Sequence, residues 1–111
     1  MMTFEALIKQ QTMELKVVFE SNEKLELAFN GRLDVAGTAQ IEARFFGFLN
    51  HLHKQASINF REVSFISSLG IRLLLQGWKM QQREGFKMIV SDCKPEILKV
   101  LQIAGLEDIL A

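Results

Sequence analysis

The sequence predicts an α/β fold in a single domain: a four-stranded mixed sheet that opens with an N-terminal hairpin and carries three main helices. Three observations lead there. Two short runs of period two flank one tight turn. After them, helical and strand-like spacings take turns along the chain. The single proline and seven glycines act as local punctuation in 111 residues, a length that suits one domain with a core of its own.

Leu15, Val17 and Phe19 alternate with Lys16 and Val18, which predicts the first strand. Ser21-Asn22-Glu23 is a turn signal, and Leu25, Leu27 and Phe29 then alternate with Glu26 and Ala28 as a second strand. Asn30 to Asp34 leads into a loop, and Thr38 is the expected N-cap of the first helix. Ile41, Phe45, Phe48, Leu49 and Leu52 share one face of that helix. Ser57 to Phe60 predicts a third strand. The run from Val63 breaks at Ser67-Ser68 and resumes with helical spacing at Ile71, Leu74, Leu75 and Trp78, the expected inward face. Gly85 is the expected C-cap. Phe86, Met88 and Val90 predict the fourth strand. Pro95 suits a first helical position, Ile97, Leu98, Leu101 and Ala104 line that helix, and Gly105 can end it. Leu106, Ile109 and Leu110 add a last apolar turn. Right-handed crossovers would bring the later strands into a partly parallel sheet.

Lys+Arg and Asp+Glu are both 13, so the chain lacks the electrostatic footprint of a nucleic-acid binder. Cys93 is the only cysteine, which rules out an internal disulfide or a cysteine metal cluster. No apolar run reaches the roughly 18 residues of a membrane span. Residues 1–12 mix Glu5 and Lys9 among apolar positions and lack the apolar centre of a signal peptide. They are expected to form a disordered N-terminal extension, with Phe4, Leu7 and Ile8 at helical spacing; Met13, which opens the folded unit, is an alternative start. The expected location is the cytoplasm. No Gly-rich phosphate loop, nucleophile elbow or metal-ligand set points to an enzyme, a metal or a cofactor.

Three motifs in order carry a family resemblance. Val63-Ser64-Phe65-Ile66-Ser67-Ser68-Leu69-Gly70-Ile71-Arg72-Leu73-Leu74-Leu75 resembles the central signature of the STAS family, where a strand runs into Asp/Ser-Ser-Ser/Thr/Ala-Gly-Leu at a helix start. Gly31-Arg32-Leu33-Asp34 resembles its Gly-x-Leu-Asp, and Val100 to Leu106 resembles its closing Val-Leu-x-x-x-Gly-Leu. The resemblance covers about Met13 to Leu110 and is of the anti-sigma-factor antagonist type. It implies a protein that binds an anti-sigma-factor serine kinase, is phosphorylated by it, lets go, and is reset by a serine phosphatase. The other implied role is an unphosphorylated STAS subunit of a lipid-transport or stress-signalling complex. Neither role fixes an oligomeric state. Many members carry Asp where this chain has Ser67.

The resemblance places the phosphate acceptor on Ser68 and partner contacts on Asp34, Ser67, Ser68, Leu69, Gly70 and Arg72. Each has a plainer reading. Ser68 reads as an N-cap serine. Ser67 reads as a tie for the strand–helix junction, or as a partner contact or competing acceptor. Asp34 reads as a turn residue bonded to its own backbone, or as part of a site beside the acceptor that helps hold the kinase or its nucleotide. Gly31 and Gly70 serve backbone geometry, Gly70 by letting another chain approach. Arg72 reads as a solvated arginine. His51 and His53, two apart, do not share a helix face and read as surface residues. Phe46 reads as a flank of the core. Asp34 and the Ser67–Ser68 turn are expected at one end of the sheet, since both follow strands that should run side by side.

Overall fold

The computed structural model describes residues 13–111. The N-terminal extension expected over residues 1–12, with Phe4, Leu7 and Ile8, lies outside the described residues. The elements run β1 (Met13–Glu20), β2 (Lys24–Leu33), α1 (Val35–His51), β3 (Gln55–Ile66), α2 (Ser68–Arg83), β4 (Ile89–Ser91) and α3 (Pro95–Ile103), then a short 3₁₀ turn at Glu107–Ile109. The four strands form one mixed sheet in the order β1-β2-β3-β4. β1 and β2 are an antiparallel hairpin, whereas β2–β3 and β3–β4 are parallel.

The hairpin turn is built from Ser21, whose Oγ accepts from the N–H groups of Glu23 and Lys24 while its own N–H donates to the Lys24 carbonyl. Alternation then decides the faces. Leu25, Leu27 and Phe29 of β2 are buried together with Ala56, Ile58 and Phe60 of β3, while Glu26, Ala28, Ser57 and Asn59 remain partly exposed on the other face. Phe29, Phe45 and Phe60 make the aromatic centre, with Phe29 and Phe45 edge to face at 5.5 Å. Fully burying side chains of this size contributes about 1.5–3 kcal/mol each.

Several expectations shift by a few residues. α1 begins at Val35, capped by Asp34 and not by Thr38, because the Asp34 carboxylate accepts the Gly37 N–H at 2.7 Å. Thr38 lies inside the first turns and is buried. β3 runs through Val63–Ile66, which lengthens the strand expected at Ser57–Phe60, since β2 offers partners as far as Leu33↔Ile66. β4 is only Ile89–Ser91, so Phe86 and Met88 precede it. Phe46 is half-buried against the core, as a flank.

The inward face of α2 is the largest revision. Its buried stripe is Gly70, Leu73, Leu74, Gly77 and Gln81; Ile71, Leu75 and Trp78 are only partly buried and pack at its margins. Close approach is the cause. A Cβ on Gly77 would lie 2.8 Å from the Phe45 ring, so the helix turns its glycines toward α1 and the sheet. The glycines expected at the ends of α2 and α3 do close them, Gly85 one residue beyond the C-cap Glu84 and Gly105 one beyond Ala104. Their φ angles are 81° and 80°, and Phe86 and Leu106 donate back to the carbonyls of Gln81 and Leu101. No described helix is long and apolar enough to cross a membrane.

Candidate functional site

Asp34 and Ser67 follow two neighbouring parallel strands whose last partners are Leu33 and Ile66, so both stand at the same end of the sheet. Each caps a helix. Asp34 caps α1, and Ser67 caps α2 with its Oγ accepting from the Gly70 N–H at 3.3 Å. The cap of α2 is therefore Ser67, and Ser68, read from sequence as a cap, is the first helical residue. The Ser67 hydroxyl also donates to the Leu33 carbonyl at 2.8 Å, and the Ser67 N–H reaches the same oxygen at 2.8 Å. A serine performs both roles because a hydroxyl donates and accepts at once. An ionised Asp there would keep the cap and lose the bond to Leu33.

With Ser67 turned inward, Ser68 is left exposed, and its hydroxyl has no hydrogen bond among the described residues. Leu69 is 38 % exposed beside it. Arg72, one turn on, is exposed and makes no ion pair among the described residues. Gly70 is not available to another chain. It is buried, and a Cβ there would sit 2.9 Å from Ile66 Cγ1 and 3.0 Å from Leu33 Cβ, so its smallness seats α2 on this chain's own strands. Gly31 has φ 124°, which glycine tolerates and other residues resist.

Electrostatically, the N-termini of α1 and α2 open at one end of the sheet, and neither first turn carries an acidic residue. The N-terminus of α1 already holds the Asp34 carboxylate, so it is the unpaired N–H groups and positive dipole end of α2 that favour an added anion. Arg32 adds a cation that sequence reasoning passed over. Its guanidinium stacks on the Phe65 ring at 4.5 Å, and its Nε lies 3.5 Å from Asp34 Oδ2. The signal was the register Arg32↔Phe65 across two parallel strands, which no local pattern contains.

The remaining candidates stay apart. His53 has φ 51° and pairs with Glu84 at 2.8 Å, and His51 is exposed in the last turn of α1. No cluster of metal-ligating side chains occurs among the described residues. Cys93, in the loop after β4, has its thiol pushed up to about 11 by burial first and the neighbouring Asp92 charge second.

The fold recurs in solved structures. The anti-sigma factor antagonist SpoIIAA in its unphosphorylated form superposes with a TM-score of 0.77 at 22 % identity, over 88 % of this chain and 86 % of that one. A STAS domain protein from Planctomyces limnophilus gives 0.74 at 19 % identity, over 86 % of each chain. The murine anion transporter Slc26a9 gives 0.71 at 11 % identity, over 91 % of this chain but 20 % of the transporter. No curated protein matches the chain by sequence. The sequence profile of the STAS domain, by contrast, matches residues 16–111, which takes in both helix caps and the exposed Ser68: this chain belongs to the STAS domain family.

Proposed function

We propose that this protein is an anti-sigma-factor antagonist of the cytoplasm that works by phosphorylation-controlled partner switching. It is a binding protein and not an enzyme. Unphosphorylated, it binds an anti-sigma-factor serine kinase; the kinase phosphorylates Ser68 and lets go, and a serine phosphatase resets the domain. The contact surface is Asp34, Ser67, Ser68, Leu69 and Arg72. The observation that carries the reading is the exposed hydroxyl of Ser68 on the first turn of α2, at the end of the sheet where Asp34 also stands. The shared fold of Bacillus SpoIIAA, an anti-sigma factor antagonist that exists in a phosphorylated form, supports it at a TM-score of 0.71 and 22 % identity.

The switch follows from where the charge lands. Phosphate adds about −1.5 to −2 charge. On the free domain that charge meets water and the favourable end of the α2 dipole, so the fold hardly changes stability. In a docked complex it would have to be buried without a partner, which costs several kcal/mol. Each 1.4 kcal/mol is about tenfold in affinity, so one modification releases the partner.

The test is incubation of the full chain with each anti-sigma-factor kinase of the source organism and Mg-ATP, followed by mass spectrometry. Phosphate on Ser68, absent from Ser68→Ala, is expected; phosphate on Ser67 alone, or on no residue with any kinase, overturns the switch. A second reading takes the domain as an unphosphorylated subunit of a larger assembly, favoured by the likeness to a stretch of Slc26a9. A stable complex with a protein that is not a kinase, left intact by Ser68→Asp, would establish it.

A further inference from the structure

Along α2 the charges have one sign. The helix carries Arg72, Lys79 and Arg83 and no acidic residue. Arg72, Gln76, Lys79 and Arg83 fall at i, i+4, i+7 and i+11, which makes them one solvent-facing ridge. Lys79 and Arg83 stand four apart on that ridge, where like charges repel and weaken a helix slightly. Neither makes an ion pair among the described residues, although ion pairs form elsewhere on the chain. The free chain therefore carries a small electrostatic cost that no described residue offsets.

Beside this pair an open groove of about 270 Å³ lies between the C-terminal halves of α1 and α2. Phe46 of α1 and Met80 of α2 are half-buried in it, and Gln76, Lys79 and Arg83 complete its walls. No acidic side chain lines it among the described residues. An aromatic ring and a flexible thioether make a floor that adapts to one large apolar side chain, and the two cations at the rim suit carboxylates. A nucleic acid finds no broad basic field on a chain of zero net charge, and a flat membrane surface does not enter a groove between two helices. The complement of this groove is a peptide segment.

We propose that this groove is a second docking site, which receives an acidic segment of another protein built around one large apolar side chain. That side chain lies on Phe46 and Met80, and the flanking carboxylates meet Lys79 and Arg83. The site stands apart from the acceptor serine. Lys79 is eleven residues beyond Ser68 and Arg83 is fifteen, about 16 Å and about 22 Å along the helix. Both distances exceed the Debye length of about 8 Å at physiological salt, so a phosphate on Ser68 is screened from the groove. One end of α2 releases its partner on phosphorylation, and the other end keeps a different partner throughout.

The test is titration of the full chain with a short amidated peptide of glutamates and aspartates around one central leucine, followed by the amide shifts in NMR spectra. Saturating shifts should be confined to the surroundings of Phe46 and to the stretch from Gln76 to Arg83. Alanine in place of the leucine should weaken binding by about tenfold, through the lost apolar burial. Lys79→Glu should weaken it several-fold and yet raise the melting temperature by about 1–3 °C, because an attracting i, i+4 pair replaces a repelling one. A lysine with a merely structural role would not give these opposite signs. Ser68→Asp and Lys99→Glu should bind the peptide as the parent does. Equal binding of the leucine and alanine peptides would reduce the effect to general ion pairing and overturn the proposal, as would shifts elsewhere or no binding at all. Attachment to phosphatidylglycerol vesicles that Lys79→Glu abolishes would make a membrane the occupant, and self-association that it abolishes would make a second copy the occupant; either result overturns the assignment. None of these outcomes touches the phosphorylation of Ser68, which stands or falls by its own test.

Discussion

The two ends of α2 are built from the same materials and finished differently. At the C-terminal end Gln81 is 1 % exposed, yet its Oε1 accepts from the Ala56 N–H at 2.8 Å and its Nε2 donates to the Lys54 carbonyl at 2.9 Å. Glu84 meets His53, and Gly85 closes the last turn. At the N-terminal end Ser67 is equally well used, but Ser68 and Leu69 stand exposed, and the neighbouring Thr38 hydroxyl is unanswered. One end is closed by internal bonds and holds the helix to β3. The other leaves Ser68 and Leu69 exposed to solvent. A buried polar side chain therefore means opposite things at the two ends, and what separates them is whether its hydrogen bonds are made.

The sharpest way to break this comparison is Gln81→Leu. It removes two buried hydrogen bonds and leaves the Ala56 N–H without a partner, so a loss of about 2–4 kcal/mol in urea unfolding is expected, with kinase binding by the folded fraction unchanged. A loss below about 0.5 kcal/mol, no more than a surface change, would show that this end is not what anchors the helix.

Ser67→Ala should cost about 1–2 kcal/mol, since it deletes the cap of α2 and the bond to the Leu33 carbonyl together. Ser67→Asp, the residue common in the family, should fall between Ala and the parent, because a carboxylate still caps but cannot donate. Chemical denaturation of all three forms gives the order; Asp at or below Ala would mean the cap contributes little.

Ser68 should be nearly silent in the same measurement. Ser68→Ala and Ser68→Asp should each stay within about 0.5 kcal/mol of the parent. In partner affinity they should separate, with Ser68→Ala binding and resisting release and Ser68→Asp binding more weakly. An Asp form that melts far below the parent, or binds as tightly, contradicts the switch.

The smallest effect lies away from both ends, at Cys93. Its thiol is pushed from 9.0 to about 11, so the folded chain favours the neutral form. The stability this contributes is fully present below about pH 9 and is lost as pH rises through about 11. At pH 8 alkylation of the folded chain should run about a hundredfold slower than of the urea-unfolded chain, in keeping with the smaller thiolate fraction. Equal rates would mean the loop after β4 opens freely.

What the amino-acid order determined alone is local. Alternation at Leu25, Leu27 and Phe29, the Ser21 turn, the helical spacing of Ile41, Phe45 and Leu49, and the glycines at 85 and 105 each depend on neighbours a few residues away, and each element formed where those neighbours predicted. The strand-to-serine junction at Ile66-Ser67-Ser68 and the Leu33-Asp34 turn could be read in the same way, and so could their meeting at one end of the sheet, since parallel neighbours end together. Tertiary structure decided what depends on distance through space. Hydrophobicity put Ile71, Leu75 and Trp78 inside, but Phe45 lies so near the helix that only Gly77 fits there, and the larger residues were moved to the margins. Which serine caps and which is free was set by the Leu33 carbonyl, a partner 34 residues from Ser67 along the chain. Arg32 found Phe65 through the β2–β3 register, and Asp34 took the N-cap position expected of Thr38 by accepting the Gly37 N–H. Periodicity reports which way a side chain turns along its own element; it carries no information about how closely the next element approaches, and at this site that approach selects which hydroxyl is left exposed.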